Sequence, residues 1–488
     1  MDNRILSGRQ AALLTDFYEL TMMAGYHHHG MDRQQAVFEY FFRGLPRHTG
    51  FAVFAGLEDL LQDLESLNFD NSSIDWLRSL GVFEEDFLQW LSGFRFSCDV
   101  WAAPEGTVVF PDVPLLRVRG PIGQAQLLES LILNRLNYQT LIATKAARVC
   151  YAADGDPVID FGLRRAQGPD GGVSGSRASY IGGCVGTSNV LAGEIYGIPV
   201  KGTMAHSWIM SFPSEEEAFR AYLEVFPRNP ILLVDTYDTA ETGIPAAVKV
   251  FKEWRNKGWN ERPGIRLDSG DLAYFSKLAW KMLTEAGFPD PMIVASNSLD
   301  EDLIADLKRQ GARINAWGVG TKLMTGGEEP AMGGVYKLAA IEKNGVMLSR
   351  MKVSSNRDKT TDPGVKVPVR FFSPEGNPAG DILFEDGEWP LSAGTPIRSH
   401  DRVEYARVNV FPTGTKTREI LQPVYRGGVR TSPPKTAEDI RTFALQQIET
   451  LRPEQRRLRN PDIYWVGLSQ KLADLKTREM LRLANGGA

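Results

Sequence analysis

The middle of this 488-residue chain predicts an α/β fold: a partial (β/α) barrel of parallel strands, with a discontinuous α+β N-terminal domain and a C-terminal helical extension. Three observations carry the prediction. Short apolar runs recur at intervals of roughly 20 to 40 residues from Pro157 onward, with helix-like segments between most of them. Neither the glycine fingerprint of dinucleotide-binding sheets nor the phosphate-loop lysine motif occurs, which favours a barrel over a doubly wound sheet. β-like segments flank the repeat on both sides, at residues 98–120 and after residue 341, so one flanking domain is assembled from two separate stretches.

Residues 1–150 are assigned to the N-terminal α+β domain. Thr15 or Asp16 can cap a helix whose apolar face includes Phe17, Leu20, Met23 and Ala24 and which ends near Gly30; Tyr18 falls in its first turn. His27, His28 and His29 have the look of a metal tract, but consecutive helical residues point in different directions and do not converge alone. A strand at 38–42 leads into the turn Arg43-Gly-Leu-Pro46, and 57–67 and 83–91 have helical period. Two short β runs, 107–110 and 115–118, are separated by Pro111 and Pro114; a long helix follows over 124–153.

Residues 151–340 form the barrel, with strands expected at 157–160, 198–200, 231–234, 264–267, 292–295, 314–317 and 335–338. Helices at 246–254, opened by Pro245, and at 271–286 lie between them. Residues 341–430 read as a β-rich segment returning to the N-terminal domain. Residues 431–488 read as C-terminal helices: one capped by Thr436 and closed by Pro453, and a charged one over 468–484.

Composition narrows the function classes. A formal charge of −5 argues against nucleic-acid and acidic-membrane partners, so an anion site must come from local clustering. Three scattered cysteines, Cys98, Cys150 and Cys184, suit a reducing compartment and read as buried small residues. The absence of an apolar leader or a membrane-length run predicts a cytoplasmic protein.

The residues after each expected strand are chemically alike: Asp160-Phe-Gly-Leu-Arg-Arg165, Thr203-Met-Ala-His206, Asp235-Thr-Tyr-Asp238, Asp268-Ser-Gly-Asp271, Ser296-Asn-Ser298 and Gly318-Val-Gly-Thr321. The carboxyl ends of parallel strands are where such folds carry chemistry. Gly318 and Gly320 would let backbone amides approach an anion, and Thr321 adds a hydroxyl at a helix start. Arg164, Arg165 and Arg266 supply charged forks, while Asp235, Asp268 and Asp271 could hold ribose hydroxyls or Mg²⁺. The implied ligand is a phosphorylated sugar.

Six motifs extend the reading: Leu14-Thr-Asp-Phe-Tyr-Glu-Leu-Thr21, Asp160 to Gly172, Gly186-Thr-Ser-Asn-Val-Leu-Ala-Gly193, Gly202-Thr-Met-Ala-His-Ser207, Arg266-Leu-Asp-Ser-Gly-Asp271 and Gly333-Gly-Val-Tyr-Lys-Leu338. With these in order over most of its length, the chain resembles the nicotinate phosphoribosyltransferases of the type II phosphoribosyltransferase superfamily. The resemblance implies transfer from phosphoribosyl pyrophosphate to nicotinate in NAD biosynthesis, a ligase-classified glycosyl transfer coupled to ATP hydrolysis and dependent on Mg²⁺. It implies that His206 becomes a phosphohistidine, and that Phe161 stacks on one face of the pyridine. Tyr18 would stack on the other face from the neighbouring subunit of a homodimer. It further implies substrate contacts from Arg164 and Arg266, ribose and phosphate contacts from Asp235 and Asp268, and a 5′-phosphate site at Ser296, Asn297, Gly318, Gly320 and Thr321.

Nicotinamide-using relatives resemble this chain but carry an acidic residue at the position of Ser188, which would repel a carboxylate; Ser188 therefore favours the acid. Three rivals stand beside this reading: a nicotinamide enzyme, a non-catalytic phosphoribosyl or nucleotide sensor, and an aldolase-like barrel using Lys201 or Lys322 as a Schiff-base nucleophile. The resemblance assigns no role to Arg43, Lys145 or Lys322.

Overall fold

The computed structural model describes residues 8–355, 359–390 and 396–485. The chain divides into two compact units, one formed by residues 1–141 and 331–488 and the other by residues 142–330. Among the described residues no helix is long and apolar enough to cross a membrane.

The unit of residues 142–330 is a six-stranded, wholly parallel sheet with helices between its strands. Its strands are β1 (Val158–Asp160), β2 (Gly186–Thr187), β3 (Ile231–Leu233), β4 (Gly264–Leu267), β5 (Met292–Ala295) and β6 (Ala316–Val319). They pair in the order β2-β1-β6-β5-β4-β3. The first strand thus lies against the last, and only β2 and β3 lack each other as neighbours. Both faces are covered, so the strands are apolar along their length rather than alternating, with Ile265, Leu267, Ile293 and Val319 inaccessible to solvent. Trp317, also inaccessible, satisfies its indole by donating to Asp156 Oδ2 at 3.1 Å.

Three expectations for this unit are corrected. The strand expected at 198–200 is a single parallel bridge between Val200 and Thr187 in an exposed segment, because Pro199 has no N–H to donate and Gly202 weakens any continuation of the pairing. The strand expected at 314–317 lies two residues later, at β6. The segment expected at 335–338 as a seventh barrel strand belongs to the other unit: Gly334–Lys343 pairs antiparallel with Gln35–Phe42, with Tyr336 stacked on Phe38 at 5.1 Å. An apolar run records burial but not the direction of its partner. The helices Ile244–Asn256, with Pro245 in its first turn, and Leu272–Glu285 form where expected.

The other unit contains a seven-stranded sheet in which Gln35–Phe42, Leu116–Pro121 and Asp99–Ala102 are joined by Gln422–Arg426 from far along the chain. A second, six-stranded sheet is built from residues 366–469. The long helix expected at 124–153 is two helices, Ile122–Leu127 and Glu129–Ala153, and the helix Asn71–Ser79, capped by Asp70, has no counterpart among the expected elements. Thr436 forms a full capping box with Asp439 at the start of Ala437–Glu449. Pro453 opens the next short helix, Pro453–Arg456.

Candidate active site

At the carboxyl ends of the parallel strands lies a cavity of about 530 Å³, within the size range of small-molecule sites. It is lined by Phe161, Arg164, Ser188, Arg266, Asp268 and Ser296, together with Asn297, Gly318, Gly320 and Thr321. The residues at and just beyond the ends of β1, β2, β4, β5 and β6 therefore meet in one place.

The aromatic wall is set by the groups behind it. Asp160 ends β1 fully buried, and its carboxylate accepts from the Gly162 amide at 2.7 Å, Thr187 Oγ1 at 2.7 Å and Ser176 Oγ at 2.8 Å. Burial pushes this carboxyl above its ordinary value, opposed by those three donors. Phe161 comes next, with its amide donating to Val319 O at 2.9 Å. Its ring lies over Gly318 so closely that a Cβ there would stand 2.5 Å from Phe161 Cδ2 and Cε2. Gly318 thus makes room for the ring while also lining the cavity, where the sequence suggested only that it brings amides to an anion. Gly320 caps the four-residue helix Thr321–Met324, and Thr321 lines the cavity.

The polar wall is formed at the ends of β4 and β5 and backed by the end of β3. Asp235 is buried; its Oδ2 accepts from the Asp268 amide and from Ser269 Oγ, both at 2.7 Å, while its Oδ1 is buried without a partner. Asp268 Oδ1 accepts from Ser296 Oγ, and Asp268 Oδ2 lies 3.7 Å from His206 Nε2. The other ring nitrogen of His206, Nδ1, is 3.1 Å from Thr236 Oγ1. His206 is the first residue of the short helix His206–Met210 and not the sequel to a strand; its side chain is 38 % exposed. Arg266 Nη1 donates to Thr203 Oγ1 at 2.7 Å and Met204 O at 3.2 Å, leaving Nε buried and unpartnered. Burial pushes this guanidinium below its ordinary value, and Asp268 and Asp235 pull the other way. Asn297 and Ser298 adopt φ of 87° and 50°, a left-handed pair of non-glycine residues of the kind that clusters at functional sites.

Not every candidate lies on the cavity wall. His206 and Asp235 stand one contact behind it, through Asp268. Asp271 is the N-cap of Leu272–Glu285, accepting from the Tyr274 amide at 2.9 Å. Tyr18 sits in the first turn of Phe17–His28 in the other unit, 46 % exposed, and Asp16 stands at the N-cap without a side-chain capping bond, its Oδ2 accepting instead from Ser130 Oγ at 2.9 Å. His27 pairs with Asp86 at 2.9 Å and packs on Trp90. Lys201 is exposed, so it lacks the desolvation an amine nucleophile needs. Lys145, left without a role by the sequence, pairs with Glu301 at 2.6 Å. Thr236 and Ser269 fall inside the quoted strand-end motifs but receive no role there, because a lone hydroxyl beside an aspartate has no sequence signal of its own.

Three family profiles match the chain: the nicotinate phosphoribosyltransferase N-terminal domain at residues 13–137, the nicotinate phosphoribosyltransferase family at 157–366 and its C-terminal domain at 365–476. The chain is 39 % identical over 464 residues to the nicotinate phosphoribosyltransferase of Bacillus subtilis, covering 94 % of this chain and 93 % of that one. It is 34 % identical over 520 residues to the Homo sapiens protein of the same name, covering 95 % of each. The crystal structure of human nicotinic acid phosphoribosyltransferase superposes with a TM-score of 0.84 at 32 % identity, covering 95 % of this chain and 99 % of that one. The chain belongs to the nicotinate phosphoribosyltransferase family.

Proposed function

We propose that this cavity transfers a 5-phosphoribosyl group from phosphoribosyl pyrophosphate to nicotinate in NAD salvage. The observation that carries the reading is the convergence on one rim of an aromatic face, Phe161, a half-buried guanidinium with an unpartnered Nε, Arg266, and an aspartate pair, Asp235 and Asp268. The pyridine nitrogen forms a bond to the ribose C1 as the C1–O bond to pyrophosphate breaks, and the electron pair leaves with pyrophosphate. The sugar carries positive charge at the transition state, which fixed carboxylates stabilise most where water is excluded. Arg164 and Arg266 bind the anionic groups of the substrates; Arg164 is exposed and Arg266 half-buried in the cavity wall. Ser188, half-buried on the same wall, offers a hydrogen bond to the nicotinate carboxylate where an acidic side chain would repel it. The left-handed Asn297–Ser298 turn, Ser296 and the Gly318–Thr321 segment supply the 5′-phosphate site. The strand order, with first against last, supports reading the sheet as a partial (β/α) barrel.

The unpartnered buried Asp235 Oδ1 fits a cation ligand. Asp235 and Asp268 would hold Mg²⁺ together with substrate phosphates, and the ion would offset the charge of the departing pyrophosphate. Asp271 is engaged as a helix cap and is the weaker candidate. ATP coupling runs through His206: in the tautomer whose Nδ1–H donates to Thr236 Oγ1, 3.1 Å away, Nε2 carries the lone pair that takes the γ-phosphoryl group as the bond to ADP breaks. The new charge would stand beside Asp268 and reorganise basic groups around the rim. The working assembly is a homodimer in which Tyr18 of one subunit completes the pyridine site of the other.

The test mixes the protein with nicotinate, phosphoribosyl pyrophosphate, Mg²⁺ and ATP and measures the mononucleotide. Product from nicotinamide but not nicotinate overturns the substrate assignment, and ligand binding without pyrophosphate release leaves a sensor.

A further inference from the structure

Behind Phe161 and Ser188 lies a polar network that binding alone does not require. Asp160, Ser176, Thr187 and Asn189 are each at most 2 % exposed. Asp160 and Thr187 are register partners across β1 and β2. Thr187 Oγ1 donates to Asp160 Oδ2 and accepts the Asn189 amide at 3.0 Å; Asn189 Nδ2 donates to Gly172 O at 3.1 Å. Asn189 Oδ1 caps Val190–Tyr196 by accepting the Ala192 amide. Ser188, between the two inward-pointing residues, faces the cavity, and its amide donates to Asp160 O at 2.8 Å. Phe161 is bonded directly to Asp160. The two groups that would hold the pyridine acid are therefore both tied to the main chain of Asp160, Phe161 by the peptide bond and Ser188 by its amide, and the Asp160 carboxylate anchors that main chain through Gly162, Ser176 and Thr187.

Apolar residues of the same shape would fill this space at little cost in stability, whereas a fully satisfied network specifies geometry. We propose that Asp160, with Thr187 and Ser176 as its hydroxyl donors, is the positioning device that holds Phe161 and Ser188 at the spacing selecting a pyridine carboxylate over its amide. The inference rests on the transfer reading above for the roles of Phe161 and Ser188. It assigns acid-over-amide selectivity to residues that never touch the substrate.

The test compares wild type with Thr187→Val, which keeps shape and removes the hydroxyl, Thr187→Ser, which restores it, and Ser176→Ala as a second route should the valine variant fail to fold. Steady-state kinetics give the ratio of kcat/KM for nicotinate over nicotinamide. Loss of one buried charge-assisted hydrogen bond is expected to cut that ratio roughly ten-fold by raising the nicotinate KM, with the phosphoribosyl pyrophosphate KM held within about two-fold. Thr187→Ser should return the ratio to the wild-type value. An unchanged ratio in a folded Thr187→Val protein, or the two KM values rising in parallel, overturns the proposal. Calorimetric binding of nicotinate and of nicotinamide reads the same ratio without turnover, so failure of the transfer chemistry is distinguishable from failure of the network.

Discussion

Substituting Gly318 by alanine probes the site where its packing is tightest. The backbone there lies outside the left-handed region, so alanine adds no torsional strain and the effect is steric. The new Cβ would stand 2.5 Å from two atoms of the Phe161 ring, and ordinary contact begins at 3.4 Å, so the ring must retreat by roughly 0.9 Å. Its escape is narrow: the Phe161 amide is held by Val319 O, and Gly162 is itself packed so that a Cβ there would lie 2.7 Å from Met324 Cβ. Overpacking of this kind costs about 1–3 kcal/mol. A misplacement of about 1 Å in a group that orients a substrate costs up to ~10²-fold in rate. Gly318→Ala is therefore expected to raise the nicotinate KM about 10- to 100-fold while leaving the phosphoribosyl pyrophosphate KM within about two-fold. Initial rates, with each substrate varied at saturating levels of the other, separate the two. A wild-type nicotinate KM in folded Gly318→Ala refutes the packing argument. A rise confined to phosphoribosyl pyrophosphate would show that the added methyl disturbs the phosphate site and not the ring.

Three further outcomes are expected. Incubation with ATP should leave an acid-labile phosphate on the wild-type protein that is absent from His206→Ala, with ATP stimulation lost; a label persisting in the variant removes His206 from the coupling step. Glu19, fully buried beside Tyr18, has its carboxyl pushed up by burial from 4.5 to about 7, with Gln126 pulling it down through a 2.8 Å hydrogen bond. Because the folded state then holds the proton more tightly than the unfolded state, this group's stabilising contribution is full below pH 4.5 and is lost as pH rises towards 7, by no more than about 3 kcal/mol. Denaturant titrations at several pH values should show that decline in wild type and its flattening in Glu19→Gln; identical slopes would refute the burial argument. Mixing inactive Tyr18→Ala with inactive Asp268→Ala subunits should restore part of the activity, and no recovery despite demonstrated exchange counts against a site shared between subunits.

Much of the site was legible because its residues repeat one local design. Asp160, Asp235, Asp268 and Ser296 each close a buried apolar run, and the runs at β1, β3, β4 and β5 are recognisable from burial alone. β2 was not, since two residues, Gly186 and Thr187, carry no period. The expected strand before His206 failed because a proline and a glycine outweigh a short apolar run; the histidine still reaches Asp268, from a helix start.

What the sequence determined by itself is the chemical inventory and its order along the chain: which strands end in acid, hydroxyl or glycine, and hence that a phosphorylated sugar is the class of ligand. The tertiary structure decided which partner each group takes. Tyr336 and its strand joined Gln35–Phe42, some 300 residues earlier, and not the parallel sheet. Gly318 makes room for the Phe161 ring, and one oxygen of Asp235 is engaged while the other is not. The physical reason is the range of the interactions: hydrophobic period and helix capping act within a few residues and leave a local mark. A hydrogen bond between Thr187 and Asp160, or a ring over a missing Cβ, depends on distances that exist only once the sheet has formed.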